Sequence, residues 1–279
     1  MTPVNALSVD VEDYYHALVF REATRRLGSV AWRSRVETNV EHVLALLRQA
    51  GVRATFFTLG EVAEEHPTLV RRVAAEGHEV ACHGYRHERV DGMTPEEFRA
   101  DVRRARAVLE DQAGQPVWGY RAPNFSIGRT ETWAYDVLLE EGFRYDSSTY
   151  PIRHDRYGTP NAPRFPYGIT CRSGAILTEF PVGTVRLLGA NLPVGGGGYF
   201  RLLPLAWATA GIRRVNRREG GPLMFYFHPW ELDACQPRPP MRWDYRLRHY
   251  VGIDREAGKL ARLFRHLPFT TAREVLRLA

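Results

Sequence analysis

His83 and His87 stand four residues apart in His83-Gly84-Tyr85-Arg86-His87. On a helical turn that spacing puts both imidazoles on one face, close enough to share a metal ion. A carboxylate would complete a protein set of three and leave a coordination position open, which distinguishes a catalytic ion from a structural one. Acids are at hand in Asp10-Val11-Glu12-Asp13. Asp10 and Glu12 are two apart, so a regular strand directs both to the same side. Three acids at one strand end repel one another unless a cation or an arginine sits among them. One acid would then bind metal and another would act as general base, the pattern of metal-assisted hydrolysis. The plainer alternatives are two surface histidines on a helix and a solvent-facing acidic turn.

Three further segments carry groups suited to the same chemistry. Phe225-Tyr226-Phe227-His228-Pro229-Trp230 places His228 at the end of an apolar run, where α/β sites assemble; the alternative is a satisfied core histidine. In Arg121-Ala122-Pro123-Asn124-Phe125, Pro123 disfavours helix at Ala122, so the chain turns there. Arg121 would pair with Asp10 and keep it ionised, unless the pair is an ordinary surface one. Asp146, in Tyr145-Asp146-Ser147-Ser148, would hold a histidine in its useful tautomer, or form an Asx turn.

These segments need a scaffold that gathers strand ends. Ala6–Val11, Ala54–Leu59, Glu79–Cys82, Trp118–Arg121 and Leu223–Phe227 read as strands. Between them, apolar periodicity predicts helices over Arg35–Gln49, over Glu61–Glu76 with a break at His66-Pro67, and over Glu131–Glu141. Thr94-Pro95-Glu96-Glu97 reads as an N-cap, a proline at the first helical position and a capping-box glutamate, opening a helix to about Ala113. Strands alternating with helices predict a parallel sheet or barrel. Tyr150–Arg172 reads as a long ordered loop, Gly195–Gly198 as a tight turn or close-approach loop, and Met241–Ile253 as a cover or cleft wall. No linker interrupts the chain, so 1–279 reads as one catalytic domain, with 150–279 carrying the last barrel strands and special loops.

Composition narrows the function classes. With 44% hydrophobic and 25% charged residues in 279, the chain is an ordinary globular one. Its net charge of +6 comes almost entirely from arginine, since Lys259 is the sole lysine. Those arginines are scattered among acids without a basic block, which argues against nucleic acid and leaves room for an anionic glycan or lipid-linked substrate. The 3 cysteines include no CxxC, which favours a reducing compartment. Neither a signal peptide at Met1–Ala6 nor an apolar run of membrane-spanning length is present, so a cytoplasmic protein is expected.

Taken in order, Asp10-x-Glu12, His83-x3-His87, Arg121-x-Pro123, Asp146 and Phe227-His228-Pro229 resemble the motifs of the polysaccharide deacetylases, the NodB-homology carbohydrate esterases of family 4. The resemblance covers nearly the whole chain and is nearest to the cytoplasmic branch associated with exosortase exopolysaccharide clusters. It implies a distorted (β/α) barrel of about seven strands, a divalent metal ion (zinc, with cobalt or nickel as alternatives) and removal of N-acetyl groups from a glycan. Association with a membrane exopolysaccharide assembly would follow. Asp10 would be the general base, His83 and His87 metal ligands, and Glu12 the third ligand because Val11 is inserted, with Asp13 as substitute. Arg121 would hold Asp10, and His228 would be the general acid, tuned by Asp146. Asn124 and Phe125 would lie at the oxyanion and substrate side. Gly84 stands where Ser or Thr is usual, and Ser148 and Thr149 stand where an aromatic often follows, a role open to Trp230. An allantoinase-like amidase and a non-catalytic glycan-binding homologue are the competing readings.

Overall fold

The computed structural model describes residues 3–17, Phe20, Thr24 and 32–278. Met1 and Thr2, part of the stretch read for a leader, lie outside them. The strands are β1 (Asn5–Val11), β2 (Thr55–Thr58), β3 (Glu79–Cys82), β4 (Gly119–Tyr120), β5 (Tyr145–Asp146), β6 (Tyr167–Thr170), β7 (Ile176–Glu179), β8 (Thr184–Leu187), β9 (Ala190–Pro193), β10 (Met224–Phe227) and β11 (Phe269–Thr270). The main sheet runs β10-β1-β2-β3-β4-β5-β7-β6, with β11 paired to β1. From β10 to β7 every neighbour is parallel; β6 is an antiparallel edge. Isolated parallel bridges from Val182 to Met224 and from Gly196 to Tyr226 join the stretch after β7 to β10, at the other end of the sheet. The result is the distorted (β/α) barrel expected from the sequence.

Period-two alternation sorts the strand residues into two layers. Leu7, Val9, Phe56, Val80 and Phe225 face the helices and share one core with Leu44, Val73, Val102, Leu109 and Leu263. Ala6, Phe57, Ala81, Tyr145 and Met224 fill the interior, sealed by Ala272 and the partly buried Val275, Leu276 and Leu278. Ser8 and Asp10 share the inward parity of Ala6, so the acid ends up inside the C-terminal mouth of the barrel.

The helices follow their sequence signals. Val36–Ala50 ends at Gly51 with φ 63°. The helical stretch from Gly60 to Ala75 is broken at His66 before Pro67. Pro95–Ala113 opens on the Thr94–Glu97 capping box, with Glu97 N–H donating to Thr94 Oγ1 at 3.2 Å and Thr94 N–H to Glu97 Oε2 at 2.8 Å. Within Tyr150–Arg172 the loop reading needs correction: Tyr167–Thr170 forms β6, paired with Ile176–Glu179. Gly196 is a close approach, since an added Cβ would collide with the Tyr226 carbonyl.

Candidate metal centre

β1 delivers Asp10 and then Glu12; β3 delivers His83; β4 delivers Arg121; β10 delivers His228. All are buried or nearly so. Glu12, His83 and His87 each offer a ligand atom within 4.8 Å of the others. Glu12 Oε2 stands 2.5 Å from His87 Nε2. His83 Nδ1 donates to the Arg121 carbonyl at 2.8 Å, which fixes its tautomer and leaves Nε2 for an ion. Two imidazole nitrogens and a carboxylate suit a divalent transition ion such as zinc.

The two histidines do not meet on a helical turn. Residues 83–87 form a loop in which Gly84 has φ 78° and His87 has φ 57°. The loop is pinned by Gly60 N–H to the Gly84 carbonyl, Glu61 N–H to the Tyr85 carbonyl and Tyr85 N–H to Asp101 Oδ2, at 2.9–3.0 Å. The left-handed backbone explains Gly84 in place of a β-substituted residue: an added Cβ would lie 3.2 Å from Asp101 Oδ2, and φ would be strained besides. A non-glycine residue at positive φ, as at His87, is a typical device of a binding site.

Asp10 is held from behind. Arg121, 0% exposed, donates from Nη1 to Asp10 Oδ1 at 2.6 Å and to Ser8 Oγ at 2.8 Å, and from Nε and Nη2 to the Ser147 carbonyl and hydroxyl. Its guanidinium lies 4.2 Å from the Phe57 ring centroid. This is a buried, fully engaged pair, not a surface one. It turns Asp10 Oδ2 toward His228, whose Nε2 is 3.9 Å away and 3.7 Å from Glu12 Oε1. Burial opposes ionisation of Glu12, but His87, His228 and His83 hold it well below the usual carboxylate range. Burial pushes His83 down to about 4, so it stays neutral, as a ligand must.

The expectation that Asp146 tunes His228 is overturned. Asp146 accepts from the Ser148 hydroxyl at 2.6 Å and the Ser148 N–H at 3.1 Å, and it faces Glu179. The carboxylate that reaches His228 is Glu231, with Oε1 3.4 Å from Nδ1. Glu231 is itself bound by Arg201 Nε at 3.1 Å. Burial lowers the His228 pKa, but Glu231, Glu12 and Asp10 outweigh it and raise it to about 9. The sequence signal was available: Glu231 follows His228 by three residues, the reach of one helical turn, and Pro229–Leu232 is a 3-10 turn.

Asp13 is not among the clustered ligand atoms. Its carboxylate accepts from Ser34 Oγ at 2.6 Å and Arg35 N–H at 2.9 Å, tying the loop before Val36–Ala50 to β1. Trp230 lines the cavity but is largely buried. It is 4% exposed, lies between His228 and His249 with centroids at 5.0 and 4.5 Å, and donates from Nε1 to Glu12 Oε1 at 3.1 Å. Asn124, at φ 55°, lines the cavity, and its buried amide nitrogen donates to no described residue. Phe125 packs against Tyr150, Tyr157 and Tyr226. The cavity outside this cluster holds about 550 Å³.

A parallel barrel with two histidines, a glutamate, an aspartate–arginine pair and a third histidine at its C-terminal mouth defines a recognisable class of protein. Residues 28–138 match the family described as Polysaccharide deacetylase, and residues 147–277 match a domain of unknown function, DUF3473. Over residues 28–138 the chain is similar to the polysaccharide deacetylases. A peptidoglycan-N-acetylglucosamine deacetylase of Bacillus cereus is 32% identical over 119 residues, 38% of this chain and 43% of that protein. The chain thus matches less than half the length of such curated relatives. Among solved structures, a Mycobacterium smegmatis protein assigned to the polysaccharide deacetylases superposes with TM-score 0.58 at 24% identity, over 95% of this chain and 90% of that one. Puue allantoinase superposes with TM-score 0.63 at 15% identity, over 98% and 88%. Both likenesses concern the fold.

Proposed function

We propose that the chain is a metal-dependent hydrolase that removes N-acetyl groups from an amino sugar of an exopolysaccharide or its lipid-linked precursor. The observation that carries the reading is the convergence of Asp10 Oδ2 and His228 Nε2, 3.9 Å apart, beside the Glu12–His83–His87 cluster. That is a base and an acid on either side of a space bordered by ligand atoms. The donor set fits zinc, with cobalt or nickel as alternatives. When bound, such an ion polarises the acetyl carbonyl and makes water more acidic.

The protein groups supply the rest. Asp10, oriented by Arg121, takes a proton from the attacking water. The water oxygen bonds to the acetyl carbon, and Asn124 donates toward the developing oxyanion. As the C–N bond breaks, protonated His228, held by Glu231, gives its proton to the departing nitrogen, which is otherwise a very poor leaving group. Acetate and a free amino sugar result. Both matched stretches act as one catalytic domain in this reading, since His228 comes from the second and the metal cluster from before and within the first.

A cytoplasmic site, working with a membrane exopolysaccharide assembly, belongs to the same proposal. It is supported by three free cysteines, two of them buried. No helix among the described residues is long and apolar enough to cross a membrane. The test is acetate release by zinc-loaded protein from N-acetylated oligosaccharides, with allantoin as competitor substrate. Acetate release that disappears in Asp10→Asn is expected. Turnover of allantoin alone would replace the reading with the amidase one, and turnover of neither would favour a glycan-binding role.

A further inference from the structure

The wall of the cavity next to His228 carries charge that the deacetylation chemistry does not use. Arg153, Arg156, Arg201 and Arg248 line it, and the acids of the lining are Glu12 and Asp155. Glu12 is committed to His87. Arg201 is spent on Glu231 and on the carbonyls of Arg248, His249 and Val251. Asp155 is therefore the one acid of the lining left to offset Arg153, Arg156 and Arg248. It binds Arg248 at 3.1 Å and lies 4.0 Å from Arg156. Arg153 is exposed and has no acidic partner among the described residues.

Arg156 and Arg248 are also held in place. Arg156 stacks over Tyr245, 4.7 Å from the ring centroid. The Arg248–Asp155 pair ties 153–157 to the helix Trp243–Tyr250 across the cavity mouth. Between them His154 stacks on Tyr157 with centroids 3.9 Å apart. A concave wall with surplus positive charge focuses its field on the ligand space. Guanidinium forks match carboxylate and phosphate oxygens two at a time, whereas a neutral glycan offers them only uncharged acceptors.

We propose that this cavity selects an N-acetylated glycan bearing an anionic group, a carboxylate or a phosphate, on a unit next to the acetamido sugar, and that Arg153, Arg156 and Arg248 bind that group. The proposal rests on the deacetylase reading for its orientation, with the acetamide at Asp10 and His228 and the anion at the arginines. The carboxylate source would be a uronic acid in the polymer; the phosphate source would be a sugar phosphate or lipid-linked precursor.

The test uses the zinc-loaded full chain and three probes: neutral chitotetraose, an N-acetylheparosan tetrasaccharide with alternating glucuronate, and UDP-N-acetylglucosamine. Acetate release gives kcat/KM, and calorimetry on Asp10→Asn gives Kd. One anionic probe should exceed chitotetraose by about tenfold or more in both, and which one does so identifies the source. The preference should shrink with added salt. Arg153→Gln combined with Arg156→Gln, and separately Arg248→Gln, should cut the anionic-to-neutral ratio about tenfold. Equal values for neutral and anionic probes, with the ratio unmoved by these variants, would overturn the proposal while leaving the deacetylase reading intact. Arginine-dependent binding of an anionic probe without acetate release from any probe would do the reverse. Binding of neither anionic probe overturns the proposal.

Discussion

Glu231 Oε1 lies 3.4 Å from His228 Nδ1, and the same oxygen accepts from Arg201 Nε at 3.1 Å. The imidazole is thus held from its far side while Nε2 faces Asp10 and Glu12. In metal-free protein the His228 imidazole should titrate near 9, against an ordinary value of 6.5. Glu231→Gln should bring it down by about a unit or more, whereas Asp146→Asn should leave it in place. NMR titration, with His228→Gln to assign the resonance, reads both. An Asp146→Asn shift as large as that of Glu231→Gln would overturn the assignment. Since the acid acts only when protonated, activity falls as pH rises through its pKa. The alkaline limb of kcat in Glu231→Gln should therefore lie at lower pH than in the parent protein.

Purified protein should carry about one divalent ion per chain, matching a single three-ligand cluster. His87→Ala should weaken metal binding by more than about a hundredfold, because even second-layer changes cost that much. Asp13→Asn should keep the ion, since Asp13 is engaged with Ser34 and Arg35. Elemental analysis after dialysis distinguishes these. Loss of metal in Asp13→Asn with retention in His87→Ala would place the site elsewhere.

Arg121 and Asp10 are both buried, at 2.6 Å. Arg121→Met leaves the Asp10 carboxylate buried without its partner, so unfolding free energy should fall by about 3–5 kcal/mol. Denaturant titration measures it. A loss under about 1 kcal/mol would mean that the pair behaves like a surface one. Asp10→Asn should keep the metal and lose activity by a factor on the order of a thousand.

Glu179 and Asp146 form a buried acid pair. Burial raises both carboxyls, and the neighbouring Asp146 pushes Glu179 well above the usual range. The unfolded chain releases this proton at an ordinary carboxylate pKa, while the folded protein holds it to higher pH. The folded state then binds more protons, so this contribution to stability is full below the unfolded pKa and declines as pH rises toward the folded one. The slope is about 1.4 kcal/mol per pH unit for one proton. Glu179→Gln should flatten that slope and leave the variant relatively more stable at neutral pH. Melting temperatures from pH 4 to 8 give the answer; parallel curves for the two proteins would refute a shared proton.

Much of the scaffold was legible because its signals are local. The run Ala6–Val11 alternates so that Ser8 and Asp10 share a face, and the strand does place both against Arg121. Gly51, the Thr94–Glu97 box and the His66-Pro67 break act over a few residues and mark helix ends where the backbone itself requires them. β6 was not legible: its side chains alternate half-buried and exposed, and its place depends on pairing with β7.

The site divides in the same way. Its residue types and their order along the chain, Asp10, Glu12, His83, His87, Arg121 and His228, were determined by the sequence alone, because chemistry restricts which side chains can ligate an ion or move a proton. Tertiary structure decided how they meet. His83 and His87 share a spacing that fits a helix, but loop hydrogen bonds to Gly60, Glu61 and Asp101 hold Gly84 and His87 at positive φ instead. The choice between Asp146 and Glu231 as partner of His228 turned on which carboxylate had other claims on it. Asp146 is taken up by Ser148 and Glu179, and Glu231 is steadied by Arg201 from a distant helix. Apart from the Asp146–Ser148 bonds, these contacts join residues more than a dozen positions apart, and no local periodicity encodes them; only the closure of the barrel brings them within hydrogen-bonding reach.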